Sequence, residues 1–179
     1  MFRLLSTHRL FLLLLLSLGT FLHACTFSEK TRPGEKVGMH IDTVMDFVVE
    51  YPLSWSKERR LTYGSLDGEV LWTHPEHPGT VLLIGSHATR NHEIDTELQI
   101  DQALQKYQGL SVSTENKVKI AAGEVWHITG QTSHENVDIY MLFHPERNYL
   151  ISLTTPLDSE DKHSDIMAEV LTSFQIMLE

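Results

Sequence analysis

Four short stretches between residues 117 and 155 follow one another closely and constrain the fold more than any other feature of the chain. They cover residues 117–121, 124–131, 136–143 and 149–155. In the third stretch, apolar residues occupy every odd position from Val137 to Phe143, the period-2 pattern of a β-strand with one buried face. Because connections this short join antiparallel neighbours, the sequence predicts an antiparallel sheet.

Further strands are predicted before this run, where β-branched and aromatic residues cluster between turn residues. They cover residues 47–51, 69–73 and 80–86. A helix is predicted over residues 96–108, with Thr96 and Gln99 as a capping box and Gly109 as its C-terminal cap. Its apolar stripe comprises Ile100, Ala103, Leu104 and Tyr107.

A second helix is predicted at the end of the chain, capped by Asp158 or Ser159. Its buried stripe comprises Ile166, Met167, Val170, Leu171 and Phe174. The order of strands, helix, strands and helix predicts an α+β domain, with a central antiparallel sheet flanked by helices.

The first 24 residues have the pattern of a secretory signal peptide. Arg3 and Arg9 precede an apolar run from Leu10 to Leu22, which is shorter than the ~20 residues of an ordinary membrane-spanning helix. The segment Leu22-His23-Ala24-Cys25 resembles the bacterial lipobox, although His23 departs from its usual small or hydroxyl residue. The resemblance implies cleavage before Cys25 and lipid attachment to that cysteine, with the bilayer as a binding partner.

Cys25 is the single cysteine of the chain, so the mature domain has no other thiol for catalysis, metal binding or disulfide formation. Residues 25–39 are predicted to be a flexible tether, and residues 40–179 the folded domain. Thr26 stands where an aspartate would hold an enteric-type lipoprotein at the inner membrane. We therefore expect a periplasmic-face location, at the outer membrane rather than the inner membrane.

The mature chain is strongly acidic, since the signal segment takes two of the 14 basic residues and none of the 24 acidic ones. The remainder carries 12 basic and 24 acidic residues, a net charge of −12. This balance argues against nucleic acid as a partner and against docking on anionic headgroups. Lipid attachment is therefore the expected means of membrane binding.

A family resemblance rests on several core positions. The segment Phe47–Trp55 resembles the opening strand of PsbP-like proteins, and Gly123 with Trp126, residues 149–153 and Ser173-Phe174 resemble later parts of their domain. The resemblance implies a PsbP-like α/β/α sandwich that binds or helps to assemble protein complexes without chemistry. We therefore expect a protein partner in the envelope, no cofactor and no enzymatic activity.

Histidine is the residue type that suggests an alternative function. His74 and His77 flank Glu76 in a proline-containing turn, and His87 and His92 surround the following strand. Zinc requires three or four converging ligands. The same His-Pro-Glu triplet recurs in another predicted turn at residues 144–146, which favours a role in turn formation, with proline setting φ. A small-ligand or metal site at His74 and His77 is therefore the alternative to a protein-binding role.

A serine–lysine hydrolase is the remaining alternative. Ser54 and Lys57 match the S-x-x-K pattern, as do Ser159 and Lys162, but no Lys-Thr-Gly or Ser-Asp-Asn motif accompanies them. Elsewhere, Trp126 and His127 are adjacent in a predicted strand, so we expect their side chains on opposite faces of the sheet.

Overall fold

A computed structural model of the protein describes residues 36–62, 67–89, 96–159 and 164–177. Within these ranges the chain forms ten strands and two helices. The strands are β1 (Val37–Asp42), β2 (Phe47–Pro52), β3 (Ser56–Leu61), β4 (Gly68–Thr73), β5 (Val81–Ala88), β6 (Ser111–Ile120), β7 (Gly123–Gln131), β8 (Glu135–Phe143), β9 (Arg147–Pro156) and β10 (Gln175–Ile176). The helices are α1 (Thr96–Leu104) and α2 (Ser164–Ser173).

Cys25, the predicted signal peptide and most of the predicted tether lie outside the described residues. The last three residues of that tether, 37–39, belong to β1, so the folded chain extends beyond the predicted domain boundary at residue 40. In the part of the chain that the structure describes, neither helix has the length and apolarity needed to cross a membrane.

A seven-stranded sheet has the order β3-β4-β5-β9-β8-β7-β6, and all of its neighbours are antiparallel. The prediction of an antiparallel arrangement for the last four long strands is confirmed. Along β8, the odd residues Val137 and Ile139 are buried on one face, while Asp138 and Tyr140 face the other side.

A second, three-stranded sheet has the order β1-β2-β10. It packs on one face of the large sheet together with α2, in a core that includes Phe47 and Val49 from β2, Trp72 from β4 and Phe174 at the end of α2. The predicted flanking of one sheet by helices therefore needs correction, because a small sheet shares this layer with α2.

The other face of the large sheet is covered by α1. Ile100 of α1 packs against Ile128 of β7 and against Val137 and Ile139 of β8. These apolar side chains form a second core, separate from the one between the two sheets. Since α1 is only nine residues long, it covers the middle of the sheet and leaves a recess beside β3, β4 and β5.

The ends of both helices differ from the prediction. α1 ends at Leu104 because the following hydrogen bonds shorten to the i, i+3 type, from Lys106 to Ala103 and from Tyr107 to Leu104. Gly109 then adopts the left-handed conformation expected of it, with φ of 73°. Ser159 does not cap α2, since it lies in a turn closed onto Pro156, and α2 begins at Ser164.

Candidate functional site

The turn that carries His74 and His77 joins β4 to β5. The two rings lie 4.8 Å apart, and Nδ1 of His74 accepts hydrogen bonds from the backbone N–H groups of Glu76 and His77, each 3.1 Å long. The His74 ring also packs edge-on against Trp55, with centroids 5.2 Å apart. Nδ1 of His74 therefore organises the turn, which makes that nitrogen a poor metal ligand in this conformation.

The other histidines named with this turn do not join it. His87 lies at the opposite end of β5, with Nδ1 2.9 Å from a carboxylate oxygen of Asp67. His92 lies outside the described residues. Among the residues that the structure describes, no group of three or more His, Cys, Asp and Glu side chains is gathered in a geometry for a metal ion.

Ser54 lies in the turn between β2 and β3, and Lys57 lies near the start of β3. Ser54 is exposed in the turn, and the Lys57 ammonium lies 5.7 Å from the centre of the Tyr51 ring. This position gives Lys57 a cation–π contact. Trp55 between them is buried in the main core. Lys162 of the second serine–lysine pair lies outside the described residues.

Trp126 and His127 point to opposite faces of β7, as predicted. Lys117 lies over the Trp126 ring on one face, 5.1 Å from its centre. On the other, His127 stacks on Tyr140 with centroids 4.3 Å apart, and its Nε2 lies 2.7 Å from Asp138 Oδ1. Burial raises the pKa of the Asp138 carboxyl above its ordinary value, against the opposing effect of the hydrogen bond with His127.

A concave cleft lies between α1 and the large sheet. It has a volume of about 480 Å³, within the roughly 300–1,000 Å³ of pockets that hold small ligands. Its walls come from α1 and from β3, β4, β5, β8 and β9. The cleft lies at the Gly68–Ser86 end of the β4–β5 pair, whereas the His74–His77 turn lies at the other end.

The charged side chains at the cleft pair with one another. Glu69 contacts both Lys106, in the turn after α1, at 2.8 Å, and Arg60 of β3, at 3.5 Å. Asp67 pairs with His87 and also accepts a hydrogen bond of 2.8 Å from the backbone of Ala88. Because these carboxylates are engaged by neighbouring side chains and backbone groups, the arrangement is suited to shaping a binding site and not to acid–base catalysis.

The inner surface of the cleft is apolar, with side-chain amides at its border. Its apolar members, Ala103, Met141, Phe143 and Leu150, belong to or pack on the core beneath α1. Its amide-bearing members are Gln99, Gln102 and Asn148. The Asn148 amide donates a 3.4 Å hydrogen bond to the Gln99 side-chain oxygen, which joins β9 to α1.

Sequence reasoning did not identify this cleft, because its residues come from six separate elements and form no local motif. Gly85 was the available signal. It is buried in the middle of β5 and lines the cleft, and an isolated glycine inside a strand often marks close approach of a ligand or another backbone.

Comparison with known proteins identifies the fold. No family model matches the chain, and no curated protein sequence matches it. Among solved structures, cyanobacterial PsbP (CyanoP) from Synechocystis sp. PCC 6803 is similar, with a TM-score of 0.61 and 12% sequence identity over 82% of this chain and 98% of that chain.

A crystal structure of a protein from Bacteroides thetaiotaomicron VPI-5482 is also similar, with a TM-score of 0.46 and 14% identity. That likeness covers 83% of this chain and 50% of the other. The likeness to CyanoP spans nearly all of that protein, and at 12% identity it is a likeness of fold. The chain therefore contains a domain with the PsbP-like fold.

Proposed function

We propose that this protein is a lipid-anchored, non-catalytic binding module of the bacterial envelope, which holds or helps to assemble a protein complex. The observation that carries the proposal is the cleft beside α1, where an apolar inner surface is bordered by charged groups that neutralise one another. Such a surface favours association with an apolar part of a partner. The PsbP-like fold supports a binding role.

The anchor in this proposal is the acylated Cys25, which faces the periplasm from the outer membrane. Each buried acyl CH₂ group contributes ~0.8 kcal/mol, and two or more chains make attachment lasting. Residues 26–36, when fully extended, reach at most ~40 Å. A tether of this length allows the domain to search for partners near the membrane surface without leaving it.

Capture of a partner from membranes tests the proposal. The lipidated protein, expressed at its natural level with a C-terminal affinity tag, is cross-linked in intact cells and purified. The control carries the same signal peptide and residues 25–36 fused to an unrelated soluble domain. We expect a stoichiometric protein partner with the native domain and not with the control. Reproducible absence of any domain-dependent partner means that the proposed function is wrong.

A second candidate function is binding of a small ligand, which the cleft volume of about 480 Å³ favours. We place the site of this candidate function in the cleft, which lies at the opposite end of the β4–β5 pair from the His74–His77 turn. Native mass spectrometry of the protein purified from membranes tests it. A bound molecule of constant mass, released on unfolding, supports this function; bare protein mass in every preparation argues for the protein-binding function. Elemental analysis of the same sample tests the His74–His77 metal site.

A further inference from the structure

The chemistry of the cleft identifies the part of a partner that fits it. Three side-chain carboxamides, those of Gln99, Gln102 and Asn148, border the apolar surface. A carboxamide has both donor and acceptor atoms, so it matches the N–H and C=O groups of a peptide backbone. A purely hydrocarbon ligand has no hydrogen-bonding groups, so it would leave these donor and acceptor atoms unused.

Asn148 adds a specific requirement. It is 8% exposed, and its Oδ1 is buried and accepts no hydrogen bond within the described residues, while its amide nitrogen donates to Gln99. A buried acceptor without a donor is energetically costly. A ligand N–H would remove that cost once a rotation of the Asn148 side chain turned Oδ1 toward the cleft, and a peptide backbone supplies such a donor.

The charges of the cleft exclude a strongly charged ligand. Its lining holds two cations, Arg60 and Lys106, and two carboxylates, Asp67 and Glu69. Glu69 contacts both cations, so neither sign of charge is in excess among these four residues. A charged ligand group would have to compete with these pairs. The complementary ligand is therefore uncharged at its point of entry.

We propose that the cleft binds an extended, uncharged peptide segment of the protein partner. One bulky apolar side chain lies against Met141, Phe143 and Leu150, and the flanking backbone pairs with the amides of Gln99, Gln102 and Asn148. This inference rests on the proposed function, because it specifies which part of a protein partner is bound.

Gly85 provides a way to block the cleft without disturbing the fold. A Cβ atom added there would lie 3.6 Å from Leu83 Cδ2 and 3.8 Å from Leu150 Cβ, which are ordinary contact distances. Gly85→Met therefore places a side chain in the cleft from the interior of β5. Leu83→Met is the matched control, since Leu83 lies on the same strand and the same face but does not line the cleft.

Photo-cross-linking of the full lipidated chain in phosphatidylethanolamine liposomes tests the inference. The probe is acetyl-Gly-(benzoylphenylalanine)-Gly-amide, and 4-butylbenzophenone serves as a non-peptide probe with the same reactive group. We expect saturable labelling by the peptide at Met141, Phe143 or Leu150, mapped by mass spectrometry. Gly85→Met should lower the yield at least tenfold, Gln102→Ala should lower it severalfold, and Leu83→Met should leave it unchanged.

Three outcomes would overturn the inference. The first two are peptide labelling spread over the surface of the protein and peptide labelling that is undiminished in Gly85→Met. The third is equal labelling of the cleft by 4-butylbenzophenone, when the unreactive competitor acetyl-Gly-Phe-Gly-amide does not reduce that labelling. Partner capture from cells separates this failure from failure of the proposed function. A partner captured equally by native protein and Gly85→Met leaves the function standing and refutes the peptide cleft. Site-specific peptide labelling without any cellular partner supports the cleft and refutes the function.

Discussion

At the scale of single residues, the least usual feature is a pair of polar groups inside the core between the sheets. His40 of β1 is surrounded by Phe47, Tyr51 and Trp72, with ring centroids 5.4–6.3 Å away. Asp42 on the same strand accepts hydrogen bonds from the Arg59 guanidinium at 2.7 Å and from the backbone of Met45 at 2.9 Å. Histidine in this setting is held neutral, whereas the aspartate is held ionised.

The stability of the domain should therefore fall in mild acid. Burial, reinforced by the positive charge of Lys57, lowers the pKa of His40 below 6.5. The unfolded state binds a proton at this histidine more readily than the folded state does. The contribution of neutral His40 to stability is therefore fully present above pH ~6.5 and is lost as the pH falls through the pKa of His40 in the folded state. We expect the free energy of unfolding, measured with urea from pH 7.5 to pH 5, to decrease less in His40→Gln than in the native chain.

His134→Gln is the control for this experiment, since His134 is exposed in the β7–β8 turn. It should keep the native pH dependence. Burial alone would raise the pKa of Asp42, but its hydrogen bonds with Arg59, Met45 and Val44 outweigh burial and hold it below 3.8. Its contribution is present above pH ~3.8 and is lost only at lower pH. Parallel pH curves for His40→Gln and the native chain would contradict the assignment to His40.

Among the residues near the end of the chain, we expect Phe174 to contribute most to the free energy of unfolding. It is fully buried, stacks on Phe47 at 5.7 Å and meets Tyr149 edge-on at 5.4 Å. Phe174→Ala should lower the free energy of unfolding by ~3–5 kcal/mol, measured by urea denaturation. Gln175→Ala, at the exposed neighbouring position, should change it little. Native stability of Phe174→Ala would show that α2 does not dock as described.

At the scale of elements, the strands that the sequence revealed are those with a simple alternation. β8 was predictable because apolar residues on one face alternate with polar or half-buried ones on the other. β1 was not, because its pattern is inverted: Met39 and Ile41 are exposed, while His40 and Asp42 are buried. Only tertiary partners for the buried polar groups make that arrangement stable, and these partners are distant in sequence.

β3 was missed for a different reason. All six of its residues, Ser56–Leu61, are exposed, so the strand has no apolar face for a pattern to reveal. It forms because its backbone pairs with β4 through the full length of both strands. Its charged side chains also suit an edge position, since charges on an edge strand discourage pairing with other chains.

Arg59 links β3 to the second sheet, so its removal should weaken an interaction between elements. Its guanidinium reaches Asp42 of β1, whose side chain is 1% exposed while that of Arg59 is 37% exposed. Arg59→Leu leaves a buried carboxylate without its cation and should cost ~1–3 kcal/mol in urea unfolding. Arg60→Leu, whose partner Glu58 is exposed, should cost less. Equal losses in both variants would contradict a role specific to the link between sheets.

The candidate site, like β1 and β3, depends on contacts between residues that are distant in sequence. Gln99 was predicted from sequence as part of a helix cap, and in the folded chain its side-chain oxygen accepts a hydrogen bond from Asn148 of β9. The two residues are 49 positions apart, so no spacing motif could connect them. The antiparallel order of β5 and β9 and the path of α1 had to be known first.

At the scale of the whole molecule, the proposed function assigns membrane attachment to the lipid and a repulsive effect to the net charge. Residues 25–179 carry 12 basic and 24 acidic residues, so anionic membrane surfaces would repel them. In the proposed function, acyl chains hold the protein at the membrane while this repulsion keeps the domain in the aqueous space. Attachment should therefore depend on Cys25 and be insensitive to salt, unlike that of a protein held by basic patches.

Cys25→Ser tests this division of work. The variant cannot be acylated, so we expect it to lose incorporation of labelled palmitate and to leave the membrane fraction. Thr26→Ala is the matched control, since it changes the next residue and retains the thiol; it should stay membrane-bound through washes with high salt and with carbonate. If Cys25→Ser also resists carbonate, the apolar segment before it acts as a retained anchor, and the lipoprotein assignment is wrong. Release of both Cys25→Ser and Thr26→Ala by salt alone would instead show that the attachment to the membrane is electrostatic, in spite of the net charge of −12.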